Sequence, residues 1–286
     1  MKRILLLPLF ALLCLSTALA QERQLYILHT SDTHSRIDPI EPQAADPHAG
    51  QGGIVRRSTF VNAYRQEHPT MLLLDCGDFS QGTPYYNMFQ GELEVRAMNL
   101  MGYDAVTIGN HEFDFGLDNM ARLYRMADFP VVCANYDVTG TVLEGLVQPY
   151  VVVEREGVRI GIFGVGPRLE GLVQADKCEG IDYTDPSTAA QAVVDRLRGD
   201  EHCDVVICLS HLGILDHDAE DVNGEFDNTL AQRTSGIDLI LGGHTHTYME
   251  EARWFDNAQG LPVPVMHIGK SGVQLSQTCL TLEPVR

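Results

Sequence analysis

The sequence predicts a layered α/β fold in which helices pack against β-sheet. Two observations predict it: short apolar runs bounded by turn residues recur along the chain, and apolar residues between them take helical spacing. The 286 residues include 44% hydrophobic and 21% charged side chains, which suffices for a sizeable core and excludes disorder, collagen-like structure and coiled coil. We find no internal repeat and no dividing linker, so one domain is expected.

The first twenty residues have the pattern of a secretory signal peptide. Two basic residues follow Met1, residues 4–15 are nearly all apolar, and Ala18-Leu19-Ala20 gives the small-residue cleavage pattern. The apolar run is too short for a membrane span, and no later stretch reaches transmembrane length. We therefore expect cleavage after Ala20, a periplasmic or secreted location, no membrane span, and a mature domain over residues 21–286.

Six apolar runs are predicted to be buried strands, because they are short, rich in β-branched and large apolar residues, and bounded by turn residues. They cover residues 25–28, 71–74, 105–108, 131–134, 205–209 and 237–241. Residues 38–53, which follow the first strand, are predicted to be an exposed loop that borders a site.

Helices are predicted around residues 117–124 and 190–197, where apolar residues keep helical spacing, and Asp185-Pro186-Ser187 is a good start for the second helix. Two strand-like runs flank Glu156-Gly157, which is a hairpin signal. The last forty residues are strand-like again.

The charge of the chain limits its partners. Asp and Glu number 39 against 20 Lys and Arg, for a net charge of -19 at pH 7. A surface this negative repels phosphate backbones, so we expect no binding to nucleic-acid duplexes. An anionic substrate would need local positive charge, and a bound metal cation is the obvious source.

Export permits disulfides but does not demand them. The six cysteines after Cys14 include no C-x-x-C pair. Three of them lie in apolar runs and are expected to be buried thiols, namely Cys76, Cys133 and Cys208. Cys178 and Cys203 lie in more polar surroundings, and a disulfide between them stays an open alternative.

Polar side chains cluster directly after five of the predicted strands. Ligand sites in open α/β sheets gather beyond the carboxyl ends of strands, so these clusters are expected to converge. They lie at residues 29–34, 75–78, 109–114, 210–211 and 242–246. Each alone has a simpler explanation, such as an Asx turn or, for Asn110, a helix N-cap. A single metal centre explains all five together.

The residue types in these clusters suit first-row divalent metals. Imidazoles, carboxylates and an amide oxygen bind zinc, manganese, iron or cobalt, whereas oxygen ligands alone would have indicated calcium or magnesium. The candidates are too many for one tetrahedral ion but suffice for two if a carboxylate bridges them: Asp32, His34, Asp78, Asn110, His211, His244 and His246. Two metals about 3.5–4 Å apart clamp an in-line displacement and lower the pKa of a shared water.

Elsewhere simpler interpretations are preferred. His267 sits in an apolar run and is expected to be a core histidine. The acidic run at residues 216–221 is expected to be a solvated face.

At these positions the sequence resembles the calcineurin-like metallophosphoesterases, and within them the catalytic, N-terminal domain of secreted bacterial 5′-nucleotidases. The resemblance covers nearly the whole mature chain and implies a four-layer α/β/β/α sandwich. It is carried by Asp32-x-His34, Gly77-Asp78-x-x-Gln81-Gly82-Thr83, Gly109-Asn110-His111-Glu112-Phe113-Asp114, Ser210-His211-Leu212-Gly213 and Gly242-Gly243-His244-Thr245-His246.

The resemblance also implies a role for each candidate. One ion would be held by Asp32, His34 and His246, the other by Asn110, His211 and His244, and Asp78 would bridge them. His111 would not be a ligand: it would face the phosphoryl group beside Asn110 and assist the leaving oxygen or stabilise transition-state charge. Asp114 would orient its ring.

The sequence departs from this family in two respects. Ser31 and Ser35 stand where the nucleotidases usually carry Asn and Gly, which touches no ligand assignment. Secreted 5′-nucleotidases also carry a C-terminal domain that stacks the nucleobase and grips the nucleotide with arginines, and no such domain is expected within residues 21–286.

The function implied is a metal-dependent phosphoric ester hydrolase, 5′-nucleotidase-like, with a bridging hydroxide that attacks phosphorus in line at two divalent ions. Two alternatives stay open: a catalytic subunit that needs a separate substrate-binding chain, and a broad-specificity phosphomonoesterase or cyclic phosphodiesterase. A catalytically silent metal-binding protein is disfavoured, because His111 and Asp114 accompany the ligands.

Overall fold

Strands and helices alternate along the chain in the computed structural model, which describes residues 23–215 and 225–282. The strands are β1 (Arg23–Thr30), β2 (Leu72–Asp75), β3 (Ala105–Val106), β4 (Val131–Val132), β5 (Tyr136–Asp137), β6 (Val147–Gln148), β7 (Tyr150–Arg155), β8 (Val158–Val165), β9 (Asp182–Tyr183), β10 (Val205–Ser210), β11 (Leu239–Gly242), β12 (Arg253–Asp256), β13 (Pro262–His267) and β14 (Ser276–Leu282). The helices are α1 (Ile54–Glu67), α2 (Pro84–Phe89), α3 (Glu92–Met101), α4 (Gly116–Met126), α5 (Pro186–Gly199) and α6 (Asp227–Arg233), with 3₁₀ turns at His111–Phe113 and Ala175–Lys177.

Two six-stranded sheets form the centre of the fold. In the first, of order β14-β1-β2-β3-β4-β6, neighbouring strands are parallel except for β14 at its edge. In the second, of order β12-β13-β11-β10-β8-β7, the inner strands are parallel and the edge strands β12 and β7 are antiparallel. Parallel strands end at the same edge of a sheet, so the segments after β1, β2 and β3 are neighbours, as are those after β10 and β11.

Three hydrophobic clusters show that the layers are α/β/β/α. Side chains of β1 and β2 that point one way, such as Ile27 and Leu72, pack against Ile160 and Ile207 of the second sheet. Their alternate neighbours pack under α1, α3 and α4, and a third cluster joins the other face of the second sheet to α5 and α6. Burying a side chain such as Ile27 stabilises the fold by roughly 1.5–3 kcal/mol.

The predicted fold class is confirmed, and each of the six predicted buried strands is present, although those at β3 and β4 have only two residues. The hairpin is formed by β7 and β8 around Glu156 and Gly157, which both have positive φ, as a tight hairpin turn requires. Helices α4 and α5 lie where helical spacing predicts them, and Asp185 caps α5 by accepting a hydrogen bond from Thr188 N. Residues 38–53 contain neither helix nor strand.

Helices α1, α2, α3 and α6 were not predicted. In α1 the buried positions include a charged residue, Arg57, beside Val61, so apolar residues do not mark a helix face. Helices α2 and α3 are short and are separated by Gln90 and Gly91, both in the left-handed region of backbone space. Helices α2 and α6, of six and seven residues, are too short to show repeated apolar spacing, whereas α3 buries Val95, Met98 and Met101 at a helical spacing that the prediction overlooked.

The predicted signal peptide and the acidic run at residues 216–221 lie outside the described residues. Within residues 23–215 and 225–282, no helix combines the length and the apolar character needed to cross a membrane. All six cysteines of this part are free, so the alternative of a disulfide between Cys178 and Cys203 is not observed. The side chain of Cys178 packs against one hydrophobic cluster and that of Cys203 lies in another, on opposite sides of the paired sheets.

Candidate metal centre

The polar clusters predicted at the strand ends meet where the two sheets lie side by side. The loop after β1 carries Asp32 and His34, and the loop after β2 carries Asp78. Two contacts join these loops to the second sheet: the backbone N–H of His244 lies 3.1 Å from both carboxylate oxygens of Asp32, and Nδ1 of His211 lies 2.6 Å from the carbonyl oxygen of Cys76. Residues far apart in the sequence therefore share one site.

Five of the seven predicted ligands have left-handed backbone conformations: Asp32 (φ 49°), His34 (φ 47°), Asp78 (φ 54°), His244 (φ 75°) and His246 (φ 52°). Non-glycine residues pay about 1–3 kcal/mol each for such conformations, which persist only where the surroundings impose them. In the first two loops a hydrogen-bonded ladder imposes them, since Asp32 N donates to Gly77 O at 2.9 Å and His34 N donates to Asp78 O at 3.1 Å. Strain of this kind concentrates at functional sites.

Two glycines of the motifs are required by close approach. A Cβ atom at Gly109 would lie 2.1 Å from Oδ1 of Asp78, and one at Gly243 would lie 2.7 Å from Oδ2 of Asp32. Any larger residue at either position would displace a carboxylate of the site. The absence of a side chain at Gly109 and Gly243, beside the predicted ligands, is therefore a steric requirement.

The first group of potential ligands consists of Asp32, His34 and His246, whose ligand atoms all lie within 4.8 Å of one another. Nε2 of His246 is 3.4 Å from Oδ1 of Asp32 and 2.9 Å from Nε2 of His34. Nδ1 of His34 lies 3.2 Å from the carbonyl oxygen of Ser80. Because a carbonyl can only accept, that contact places the proton of a neutral His34 on Nδ1 and leaves a lone pair on Nε2, directed into the group.

The second group consists of Asp78, His211 and His244, again with ligand atoms within 4.8 Å of one another. Nε2 of His211 lies 3.0 Å from Oδ2 of Asp78 and 3.9 Å from Oδ1 of Asp32, so the two groups are contiguous. The contact between Nδ1 of His211 and the Cys76 carbonyl leaves Nε2 as the atom that faces the site.

Asn110 completes the predicted set. It is 6% exposed, and its Oδ1 atom is buried without a hydrogen-bond partner among the described residues. A buried polar atom without a partner is rare, and this one belongs to a residue predicted to bind metal. A cation in the second group would satisfy it, so the donor set fits a metal ion.

The electrostatics of the two groups favour a cation as well. Burial and the nearby His211 lower the pKa of His244 to about 4, and burial lowers the pKa of His34, so both imidazoles are neutral, as metal ligands must be. Burial opposes a charge on His211, yet the Asp78 and Asp32 carboxylates raise its pKa to about 10. Burial likewise opposes ionisation of Asp78, but His211 lowers the pKa of that carboxyl below its ordinary value. The two carboxylates therefore favour a positive charge at Nε2 of His211, which a proton or a metal ion can supply.

His111 and Asp114 lie on the accessible side of the site. Nδ1 of His111 is 3.0 Å from Oδ2 of Asp114, and the two side chains are 33% and 35% exposed. This hydrogen bond is the main cause that raises the pKa of His111. The ring of His111 lies 5.5 Å from that of His34, centroid to centroid, and at 75° to it. The His111 imidazole, whose protonated form Asp114 favours, is thus held beside the first ligand group, within reach of solvent.

Sequence reasoning missed one residue of the site. Glu112, inside the third motif, is 1% exposed, and its carboxylate accepts backbone hydrogen bonds from the loop that carries Asp78. The roles expected of its neighbours His111 and Asp114 come from the family resemblance, which implies no role for Glu112 although it lies in the same motif. His267, expected to be a core histidine, is buried, and its Nε2 lies 2.7 Å from Oδ2 of Asp227.

Comparison with known proteins places this geometry in a family. The family model for calcineurin-like phosphoesterases matches residues 25–248. A 5′-nucleotidase of Rattus norvegicus is 35% identical over 254 residues, which are 85% of this chain and 42% of that protein. The chain thus spans about two fifths of the length of the curated relative.

Solved structures agree. The 5′-nucleotidase precursor from Thermus thermophilus matches with a TM-score of 0.80 at 30% identity, over 91% of this chain and 52% of that one. The calcineurin-like phosphoesterase YfkN from Bacillus subtilis matches with a TM-score of 0.76 at 28% identity, over 93% of this chain and 87% of that one. The predicted resemblance and the predicted hydrolase class are confirmed: this chain belongs to the calcineurin-like phosphoesterase family.

Proposed function

We propose that the chain is a metal-dependent hydrolase of nucleotides or related small phosphate esters, and that it works with two divalent cations. The observation that carries this proposal is the pair of contiguous ligand groups, each within 4.8 Å and joined by the 3.9 Å approach of His211 to Asp32. A single ion could not use both groups at once, because each offers three ligand atoms directed at a point of its own.

We assign the ligands as follows: Asp32, His34 and His246 hold one ion, Asn110, His211 and His244 hold the other, and Asp78 lies between them. The orphaned Oδ1 of Asn110 supports its place in the second set. The position of Asp78 supports a bridge, since its carboxylate contacts His211 and its charge acts on His34 as well. Zinc, manganese, iron and cobalt all suit this mixture of nitrogen and oxygen ligands.

Two such cations, when bound, supply a hydroxide nucleophile for in-line attack on phosphorus and offset the charge of the phosphoryl oxygens. The chain supplies the rest. His111 lies on the accessible side, and we assign it, with the preceding residue Asn110, to the phosphoryl group of the substrate. Asp114 holds Nδ1 of His111, which leaves Nε2 free to give a proton to the departing oxygen. A net charge of -19 on the whole chain keeps anions away from other parts of its surface.

The proposed substrates are nucleotides because relatives that match most of this chain are named 5′-nucleotidase and trifunctional nucleotide phosphoesterase. The second name also motivates the broader alternative, in which the enzyme hydrolyses phosphomonoesters and cyclic phosphodiesters of varied structure. The alternative of a separate substrate-binding chain stays open, because the matched region is only 42% of the rat relative.

A substrate panel tests the proposal. Residues 21–286 are loaded with Mn²⁺ or Zn²⁺ and offered p-nitrophenyl phosphate, nucleoside 5′-monophosphates and 2′,3′-cyclic nucleotides, while metal content is measured on the same sample. We expect phosphate release that depends on metal. Faster hydrolysis of nucleotides than of p-nitrophenyl phosphate supports the nucleotidase, and equal rates on all esters support the broad hydrolase. A KM that is high for nucleotides but not for p-nitrophenyl phosphate supports the two-chain alternative. No release from any ester by metal-loaded protein would contradict the proposal.

We also propose that the chain is exported and that residues 21–286 are its mature catalytic domain. The basic start, the apolar run and the small residues before Gln21 support this. Expression of the full sequence in a bacterium, followed by amino-terminal sequencing of protein from the periplasm and medium, tests it. A first residue of Gln21 is expected, and an uncleaved chain that stays in the cytoplasm would contradict it.

A further inference from the structure

Glu112 connects two loops of the site by backbone hydrogen bonds. Its Oε2 atom accepts from the N–H of Asp78 at 2.9 Å and from the N–H of Gly109 at 2.8 Å, and its Oε1 atom accepts from the N–H of Ser80 at 3.2 Å. Asp78 and Ser80 follow β2, whereas Gly109 follows β3. One carboxylate, 1% exposed, therefore holds the ends of two neighbouring strands together.

Both oxygens of Glu112 are occupied by these donors, so the side chain faces backbone and neither substrate nor metal. Its effect on the site passes through the backbone that it holds, and most directly through Asp78. Asp78 has a left-handed backbone with φ 54°, a conformation that needs external support. The bond from its N–H to Glu112 supplies that support directly.

The preceding residue of the same motif fixes the Asp78 side chain. The N–H of His111 donates to Oδ1 of Asp78 at 2.8 Å, and Oδ2 is left 3.0 Å from Nε2 of His211. Glu112 thus sets the backbone of Asp78 while its neighbour His111 sets the carboxylate. Together they determine which way the free oxygen of Asp78 points.

A buried carboxylate next to a second one costs desolvation and repulsion, and an apolar side chain would fill the space without either. An apolar side chain would, however, leave three buried N–H groups without acceptors. The arrangement suits a residue whose task is to hold strained loops in one geometry.

We propose that Glu112 is a positioning residue that acts through Asp78 and sets the affinity of the site for metal. This inference rests on the proposed metal centre. Residues that orient metal ligands typically change metal affinity or activity by about 10–100-fold when they are altered. Glu112 is expected to act on affinity, because it touches no reacting group.

The test compares Mn²⁺ binding, by isothermal calorimetry, in the wild-type chain and in Glu112→Gln. Glutamine has the same size but only one acceptor oxygen: it can serve Asp78 and Gly109, and its amide group then opposes the N–H of Ser80. We expect Mn²⁺ affinity to fall about 10–100-fold, while turnover at saturating Mn²⁺ recovers to within a few-fold of wild type.

Asp104→Asn is the matched control. Asp104 also accepts a backbone hydrogen bond, from Leu73 N at 2.8 Å, but it lies at the opposite end of β2. This variant should lose stability without any change in Mn²⁺ affinity. Equal affinity in Glu112→Gln and wild type would overturn the inference. If the wild-type chain itself bound no Mn²⁺, the proposed function would fail instead.

Amide hydrogen exchange on the wild-type chain covers the case in which Glu112→Gln does not fold. If Glu112 shapes the site in advance, the N–H groups of Asp78, Ser80 and Gly109 are protected in metal-free protein, and added Mn²⁺ changes their protection little. Rapid exchange of these three amides in folded, metal-free protein would equally overturn the inference.

Discussion

Nε2 of His34 lies 2.9 Å from Nε2 of His246, although 212 residues separate them in the chain. The Ser80 carbonyl fixes the proton of neutral His34 on its other nitrogen, so a lone pair of His34 faces the second ring. Two imidazole nitrogens directed at one point, with Oδ1 of Asp32 3.4 Å from one of them, form the kind of arrangement that a divalent cation binds.

His246→Ala should therefore release one metal ion and keep the other. His246 contributes only to the first group, whereas the second keeps all its ligands. We expect metal content to fall from two ions per chain to one, with turnover reduced by at least about 100-fold, since one ion can no longer clamp both oxygens of an in-line displacement. Elemental analysis after desalting measures this, and loss of both ions would show that the groups are not separable.

Asp78→Ala should abolish both metal occupancy and turnover. Asp78 is 1% exposed and lies between the groups, so its removal takes a ligand from each and leaves His211 without its partner. Elemental analysis and an assay with p-nitrophenyl phosphate measure the two effects. Retention of two ions per chain in this variant would refute the bridging role.

His111→Ala should lower turnover while both ions stay bound. The His111 ring lies 5.5 Å, centroid to centroid, from that of His34 and is held by Asp114. Loss of a general acid typically costs about 10²–10⁴-fold in rate. Asp114→Asn should show a smaller loss, because the ring remains but its orientation and proton are less firmly held. Metal loss in His111→Ala would overturn its assigned role.

Gly109→Ala should disable the site by sterics alone. The added Cβ would lie 2.1 Å from Oδ1 of Asp78, so the carboxylate must move. We expect a fall in Mn²⁺ affinity of at least about 10-fold, in the range seen when a ligand is disoriented. Gly199→Ala is the matched control, because nothing lies within 4 Å of a Cβ at that position. Equal Mn²⁺ affinity in both variants would contradict the steric argument.

Stability should depend on pH through Asp75, which lies beneath the site. Burial, only partly offset by the hydrogen bond from Thr30, raises its pKa to about 7, from an ordinary 3.8. Below pH 3.8 both folded and unfolded chains carry the proton. Between about pH 4 and 7 only the unfolded chain loses it, so folding stability falls as pH rises, by up to roughly 4 kcal/mol, and is constant above pH 7.

Asp75→Asn removes this dependence. Urea denaturation of metal-free protein at pH 4.5 and pH 7.5 measures the free energy of unfolding of the variant and of the wild type. The free energy of unfolding of the variant should increase relative to that of the wild type as pH rises. A difference that is the same at both pH values would show that Asp75 is ionised in the folded chain.

The sequence was informative about the site because strand ends are easy to recognise. Asp32, Asp78 and His211 each follow an apolar run that could only be a buried strand, and parallel strands bring their ends together. The left-handed conformations of Asp32 and Asp78 could not be foreseen, since they are imposed by the ladder between two loops. Nor could Glu112 be assigned, because its partners are backbone N–H groups, which leave no signature in the sequence.

The fold could be predicted only in part. The buried strands and α5, with its cap at Asp185, have strong local signals. Helix α1 does not, since Arg57 is buried on the face where an apolar residue is expected. The order of strands within each sheet depends on contacts between distant segments, such as Leu28 beside Leu73, and no local pattern encodes it.

Anomalous diffraction from crystals of the mature chain soaked in Mn²⁺, recorded at the manganese edge, tests the central claim most directly. We predict two peaks about 3.5–4 Å apart, one among Asp32, His34 and His246 and one among Asn110, His211 and His244, with Asp78 touching both. One peak, or none in either group, would contradict a two-metal hydrolase.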